Sequence, residues 1–107
     1  MNAPFVSTLR TAGSTIPVGV QGASPITIRV EVPERWDVAL LSAASTTSVH
    51  DVKRAALQFV LPGDVAADYV IKLRGFEVLD ESVSLAEAGA RDGSIFLLTH
   101  RRRRPVR

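Results

Sequence analysis

Seven residues, from Ile26 to Val32, alternate strictly between apolar and polar side chains, and this alternation constrains the fold of the chain more than any other feature. Successive side chains of a β-strand point to opposite faces, so the four apolar members would share one buried face. Residues 33–37 contain a proline and several charges and interrupt the pattern, and residues 38–43 are again mostly apolar. The two runs predict a hairpin in a sheet that has one buried face.

The next segment changes to helical spacing. Ser48 precedes it and Asp51 follows three residues later, which fits a loose capping box. Apolar residues then recur three and four apart and form one stripe; they are Val49, Val52, Ala56, Phe59 and Val60. Pro62 and Gly63 end the pattern. The segment therefore predicts one amphipathic helix with its apolar stripe against the sheet.

Residues 69–100 consist of short elements separated by turns. The sequence predicts a strand at 69–73, a turn at 74–75, a short strand at 76–79, a solvated loop at 80–82, a helical turn at 84–89 and a last strand at 94–100. The element order is ββαββ(short helix)β. We therefore predict an α+β domain over residues 26–100, in which a mixed β-sheet packs on one helix.

Residues 1–25 are predicted to form a flexible N-terminal arm, because they mix Ser, Thr, Gly and Pro with scattered apolar residues and show no helical or strand period. The segment from Thr15 to Val20 has some β character, so an added edge strand or a covering loop is the alternative. An ordered arm would cover an open sheet edge or bind a neighbouring copy of the chain, because open edges permit self-assembly.

Composition argues against catalysis and against membrane insertion. The chain has no cysteine, which excludes disulfides, thiolate nucleophiles and cysteine-based zinc sites. His50 near a helix start and His100 at a strand end have no partner pattern for a metal site or a nucleophile triad. No apolar run approaches the roughly 20 residues that cross a bilayer. We therefore expect a cytoplasmic, non-catalytic protein without a cofactor or a metal.

The last seven residues carry the strongest local charge. Five of the 13 basic residues lie there, and the first 100 residues hold eight basic against eleven acidic side chains. The five are Arg101, Arg102, Arg103, Arg104 and Arg107. Such a basic C-terminal tail, 101–107, would bind polyanions such as nucleic acid, or an acidic protein surface. No aromatic residue lies among the arginines, so the sequence does not predict base stacking. The alternative is a solvated terminus that adds solubility.

Four local strings, in this order along the chain, resemble the ubiquitin family. They are Ser48 to Lys53 at the helix start, Ile71 to Leu79 around the glycine turn, Ser84 to Gly89 in the short helix, and Asp92 to Leu97 entering the last strand. The resemblance covers residues 26–100 and implies the β-grasp fold, in which a sheet grips one helix. It also implies that the protein acts by being bound by protein partners or attached to them.

Two departures limit what the resemblance implies. Where family modifiers end in Gly-Gly, this sequence has arginines and Pro105, so conjugation by the ubiquitin route is not expected. The positions of the ubiquitin recognition patch also differ, because Lys72 replaces its central isoleucine. Leu97 and Thr99 replace its histidine and valine, and Phe76 replaces the lysine used for chain building.

We therefore predict a different partner-binding patch around Phe76 and Leu97, with Trp36 as a further aromatic anchor. The alternative is that the two aromatic residues are partly covered core residues. The resemblance implies a ubiquitin-activating-like enzyme, a protease or a secretion ATPase as the partner. Eleven arginines against two lysines suit a GC-rich genome. The chain also resembles the small ubiquitin-like accessory proteins of type VII secretion in length and in lacking Gly-Gly, so we expect a bacterial-type ubiquitin-like or secretion-associated system. The alternative function is a nucleic-acid adaptor that acts through the arginine tail.

Overall fold

The computed structural model describes residues 15–19 and 25–101. Its strands are β1 (Ile16–Val18), β2 (Ile26–Val32), β3 (Asp37–Ala43), β4 (Tyr69–Leu73), β5 (Phe76–Glu77) and β6 (Ile95–His100). Its helices are α1 (Val49–Val60) and α2 (Leu85–Ala88), and two 3-10 turns span Pro33–Arg35 and Ala66–Asp68. The strands form one sheet in the order β1-β3-β2-β6-β4-β5.

The sheet is mixed, and α1 packs on one of its faces through a shared apolar core. β2 and β3 form the predicted antiparallel hairpin. β6 lies in the middle of the sheet, parallel to β2 and antiparallel to β4. The predicted α+β architecture is confirmed, and β1 is an addition at one edge.

The β4–β5 hairpin closes through a two-residue turn. Arg74 and Gly75 both have positive φ, 54° and 84°, which is the conformation that suits the twist of a tight hairpin. β5 is shorter than the predicted strand at 76–79. The Val78 N–H still donates to the Ile71 carbonyl at 2.9 Å, but the chain then leaves the sheet and Leu79 is exposed.

β1 corrects the prediction of a flexible arm through residue 25, which is wrong for Ile16–Val18. These residues pair in parallel with Leu41–Ala43 of β3, and Val18 belongs to the buried core. Burial of Val18 and pairing with β3 together oppose the entropy lost by ordering the segment. Pro17 suits an edge strand because it has no N–H to offer a further strand. The rest of the predicted arm, residues 1–14 and 20–24, lies outside the described residues.

The core lies between α1 and the inner face of the sheet. The sheet and both helices contribute fully buried side chains to it. The largest apolar ones are Phe96, Ile28, Leu41, Ile71, Leu85 and Leu98. α1 begins where the sequence predicts, because the Ser48 hydroxyl accepts a hydrogen bond from the Asp51 N–H at 3.1 Å. α2 has a complete capping box between Ser84 and Glu87.

A buried ion pair joins α1 to the loop before α2. Lys53 is 2% exposed, and its Nζ donates to Glu81 Oε2 at 2.8 Å. His50 Nδ1 lies 3.1 Å from Glu81 Oε1, and the His50 backbone N–H donates to the Glu81 carbonyl at 2.8 Å. The prediction of a solvated loop at 80–82 is therefore wrong for Glu81. Lys53 falls four residues after Val49, on the buried side of the helix, and its ammonium needs this carboxylate.

Candidate protein-interaction surface

The face of the sheet opposite α1 carries the predicted site residues of β4 and β6. Because side chains alternate along a strand, the buried inner residues fix which neighbours point outward. We call the outward-pointing set the outer sheet face; its members are Thr27, Arg29, Glu31, Val38, Leu40, Ser42, Val70, Lys72, Glu77, Ile95, Leu97 and Thr99, of which Val70 is itself buried. Apolar and charged side chains are therefore mixed across five strands.

Strand register places three predicted residues side by side. Leu97 of β6 pairs with Lys72 of β4 on one side and with Glu31 of β2 on the other. Thr99 pairs with Val70, one step further along the same two strands. Directly opposite side chains in a sheet lie about 5 Å apart, so these residues form one contiguous patch. A shallow depression of about 450 Å³ is lined in part by Lys72, Leu97 and Ile95.

The charges on this face are solvated and adaptable. Arg29 Nε lies 3.4 Å from Glu31 Oε2, with the two side chains 51% and 41% exposed. Such a surface pair contributes little to stability and breaks at low cost when a partner binds. Lys72 pairs in register with Glu77 of β5. The face therefore has apolar side chains at its centre and charges of both signs around them.

The structure separates Phe76 from this patch. Phe76 pairs with Leu73, an inner-face residue, and it is 78% exposed at the β5 edge. It lines a different open depression of about 410 Å³ together with Val78, Val83 and Ala88. Phe76 is thus a surface residue rather than a covered core residue, but it does not share one patch with Leu97.

Trp36 lies at the opposite end of the sheet from Phe76. It follows the 3-10 turn Pro33–Arg35 and precedes β3, and it is 95% exposed. Its φ of 52° places a bulky residue in the left-handed region. The predicted grouping of Phe76, Leu97 and Trp36 therefore divides into three separate places on the surface.

Arg101, the first residue of the predicted tail, is bound to the folded body. Its backbone N–H donates to the Asp68 carbonyl at 2.6 Å and its Nε donates to the Ala67 carbonyl at 3.0 Å. A longer bond of 3.4 Å joins its guanidinium to the Tyr69 carbonyl. The other tail arginines, Arg102, Arg103, Arg104 and Arg107, lie outside the described residues, so the tail's predicted role stays a prediction.

Tyr69 anchors the neighbouring end of β4 through a side-chain hydrogen bond, and the titration of its hydroxyl tests that bond. Its hydroxyl donates to Asp64 Oδ2 at 2.7 Å, and burial, followed by this hydrogen bond, raises the pKa of Tyr69 to about 12. Since the folded pKa exceeds the ordinary value of 10.0, the stabilisation is complete below pH 10 and is lost as the pH rises towards 12.

We expect the phenolate absorbance of Tyr69 to titrate near pH 12 or together with alkaline unfolding. The chain has one tyrosine, so the signal has one source. Asp64→Ala removes the acceptor and its negative charge, and it is expected to lower the midpoint. A midpoint near 10 in wild-type protein whose circular dichroism is still native would contradict this assignment.

The described residues contain no cluster of three or more histidines, cysteines, aspartates or glutamates arranged to hold a metal ion. Within the same ranges, no helix has the length and apolar character needed to span a bilayer. The outer sheet face offers apolar contacts and charges of both signs.

Sequence reasoning missed four apolar members of the outer sheet face, namely Val38, Leu40, Val70 and Ile95. β6 begins Ile95-Phe96-Leu97-Leu98, and an unbroken apolar run hides which residues point outward. The alternation of β2 indicates the two faces of β6, because Glu31 pairs with Leu97 and paired residues point to the same face of the sheet.

No protein-family model and no curated protein matches the chain by sequence. Solved structures do match. A ubiquitin from Caldiarchaeum subterraneum has a TM-score of 0.64 at 17% identity and covers 77% of this chain and 100% of its own. A ubiquitin-like domain from Arabidopsis thaliana has a TM-score of 0.62 at 16% identity and covers 83% of this chain and 87% of its own. At these identities the likeness establishes one thing, that this chain has the ubiquitin-like β-grasp fold.

Proposed function

We propose that this protein is a non-catalytic ubiquitin-like interaction module that a protein partner binds through the outer sheet face. The observation that carries the proposal is the contiguous row Glu31, Leu97 and Lys72, with the exposed Ile95 beside it. Apolar side chains within a charged surround are the composition of protein interfaces, whose centres are apolar and whose rims are polar.

The nature of the partner follows from the charged residue next to the apolar centre. Lys72 brings a positive charge between Leu97 and Glu77, so we propose that the partner presents a carboxylate next to an apolar side chain. A receptor whose pocket fits an isoleucine side chain at this position would bury the Lys72 ammonium without a partner, which is unfavourable. This supports a dedicated partner instead of a general ubiquitin receptor.

The cellular setting is part of the same proposal. We place the protein in the cytoplasm of a bacterium, in a ubiquitin-like or secretion-associated system, with an activating-like enzyme, a protease or a secretion ATPase as the partner. The preference for arginine over lysine supports a GC-rich source. Within this proposal, binding ranks ahead of attachment as a modifier, because the outer sheet face supplies a contiguous surface for a partner.

The experiment that tests the proposal is a comparison of three full-length baits in extracts of the source cells. Wild-type protein, the double variant Lys72→Glu/Leu97→Asp, and the control Gln58→Glu on the exposed side of α1 are compared by quantitative mass spectrometry. A protein that the wild type and the control retain and the double variant loses is the expected result. Equal recovery on all three baits would rule out the outer sheet face. Incubation with an activating enzyme and ATP, followed by intact mass, checks the modifier role.

A further inference from the structure

The backbone of β5 is open to a further strand at Glu77. β5 is the last strand in the sheet order, so it has β4 on one side only. The Val78 N–H donates to the Ile71 carbonyl at 2.9 Å, and the hairpin turn closes on the other side of Glu77. Glu77 and Lys72 thus form a pair between two hydrogen-bonded steps of the ladder. The N–H and carbonyl of such a pair point away from the partner strand, so those of Glu77 point outward from the sheet.

The two edges of the sheet differ in how well they accept a further strand. Pro17, in the middle of β1, has no N–H to donate, and prolines are one of the devices that block sheet edges. β5 has no proline, and all four residues from Arg74 to Glu77 are exposed. The β5 edge is therefore the better template for an added strand.

An apolar depression lies beside this edge, on the face of the sheet that holds α1. Phe76 points to that face, because it pairs with the inner-face residue Leu73, and it is 78% exposed. The depression of about 410 Å³ is lined by Phe76 together with Val78, Val83 and Ala88, and the last three pack against the core. Side chains of an added strand would point alternately into this depression and towards the outer sheet face.

Exposed carboxylates flank the same edge. Glu77 and Asp80 are both exposed. The Ser82 N–H and hydroxyl donate to Asp80 Oδ1 at 3.1 Å and 2.5 Å, and these bonds lower the pKa of the Asp80 carboxyl and keep it ionised. Arg74, the cation among the described residues that line the depression, donates to the Gly89 carbonyl at 3.0 Å. A basic side chain on the added strand would therefore find carboxylates to pair with.

These charges also distinguish between possible occupants. If two copies of this chain paired symmetrically through β5, the Glu77 side chains of the two copies would lie opposite each other. Like charges directly opposite in a sheet are destabilising, so Glu77 disfavours self-pairing. The edge is matched by a strand of another protein that carries positive charge.

We propose that the β5 edge binds an extended segment of a protein partner as an additional strand, and that apolar and basic side chains alternate along this segment. One partner residue bonds to the Glu77 N–H and carbonyl and places its basic side chain next to the Glu77 carboxylate. The apolar residues on either side of it enter the depression beside Phe76. In strand addition, main-chain bonds supply affinity and the alternate side chains supply specificity. This edge adds a second binding surface, and the proposal does not depend on the row Glu31, Leu97 and Lys72.

Selection of random peptides displayed on phage against the full-length protein tests which chemistry the edge prefers. Enriched peptides are expected to alternate apolar residues with lysine or arginine, and a synthetic peptide of the enriched sequence is then titrated by fluorescence anisotropy. Selection that enriches no peptide, or enriches acidic ones, would overturn the proposal.

Variants locate the bound peptide. Phe76→Ala is expected to weaken binding at least roughly 5-fold, because exposed aromatic anchors carry much of the binding energy. Glu77→Ala and Glu77→Pro both remove the carboxylate, but only proline removes the N–H, so Glu77→Pro is expected to bind roughly 2- to 10-fold more weakly than Glu77→Ala. The control Leu97→Ala should bind as wild type. Loss of binding with Leu97→Ala and full binding with Phe76→Ala would place the peptide on the outer sheet face and overturn the proposal.

Hydrogen exchange of the Glu77 amide, followed by nuclear magnetic resonance, tests the main-chain bond in the unmodified protein and does not require that the proline variant fold. The amide is expected to exchange more slowly with saturating peptide than without it, because the peptide carbonyl accepts its hydrogen. A bound peptide that leaves the exchange rate of Glu77 unchanged would overturn strand addition. None of these results bears on the outer sheet face as the site of the other partner.

Discussion

Glu81→Ala is expected to lower the free energy of unfolding by about 3 kcal/mol, because it leaves the Lys53 ammonium buried without its carboxylate. Lys53 is 2% exposed and Glu81 Oε2 lies 2.8 Å from its Nζ. Water reaches the pair only on the Glu81 side, where the side chain is 18% exposed. The loss is measured by urea unfolding followed by far-ultraviolet circular dichroism, since Trp36 is exposed in the folded state and reports poorly on unfolding.

Two further variants distinguish the effect of losing the ion pair from the effect of removing any glutamate side chain. Lys53→Met/Glu81→Leu removes both charges together and is expected to recover most of the loss, because well-packed apolar groups replace buried ion pairs at little cost. Glu77→Ala removes an exposed glutamate elsewhere and is expected to stay within about 0.5 kcal/mol of wild type. A Glu81→Ala variant as stable as Glu77→Ala would show that Lys53 reaches solvent.

The Lys53–Glu81 pair also makes the stability of the protein decrease at acidic pH. Burial by itself raises the pKa of the Glu81 carboxyl, but hydrogen bonds and charges from Lys53 and His50 outweigh burial and hold it below the ordinary value of 4.5. Since the folded pKa is lower than the unfolded one, the stabilisation is complete above pH 4.5 and is lost as the pH falls through the folded pKa. The double variant should lose less stability over this range.

Phe96→Ala is expected to lower the free energy of unfolding by about 3–5 kcal/mol, whereas Leu97→Ala, one residue further along β6, should cost less than about 1 kcal/mol. Phe96 is fully buried in the central strand, between Val30 and Leu73 in the register. Leu97 is half-buried on the opposite face. Guanidinium unfolding of both variants, followed by circular dichroism, gives the comparison.

This pair of variants checks the assignment of faces on which the interaction surface depends. A one-residue slip of β6 would exchange the two side chains between core and solvent. Equal losses, or a larger loss for Leu97→Ala, would contradict the register and would remove Leu97 from the outer sheet face.

The sequence predicted strands and helices correctly where the spacing of apolar residues followed a single period. The alternation of β2 and the helical stripe of α1 are local patterns set by burial of one face, and both elements form where they were expected. β1 was the hard case, because Ile16–Val18 are too short to show a period. Its pairing with Leu41–Ala43 depends on long-range contacts that no local pattern records.

Surface and polar features were less predictable for the same physical reason. The partner of Lys53 is 28 residues away at Glu81, and the turn before Trp36 is joined to the end of β6 by a hydrogen bond between His100 and Glu34. The sequence placed Lys72, Leu97 and Thr99 on one surface through the family resemblance, and the register brings these three together. It could not show that Phe76 and Trp36 lie at opposite ends of the sheet.

The central claim is that the outer sheet face is where a protein partner binds, and site-specific photo-cross-linking in the source cells tests it most directly. A photoreactive residue is introduced singly at positions 95, 97 and 99 of β6, and at position 58 of α1 as the control. We predict the same discrete adduct from positions on the outer sheet face, lost when Lys72→Glu is added, and no such adduct from position 58. Adducts from position 58 alone, or adducts of equal yield from both faces, would contradict the claim.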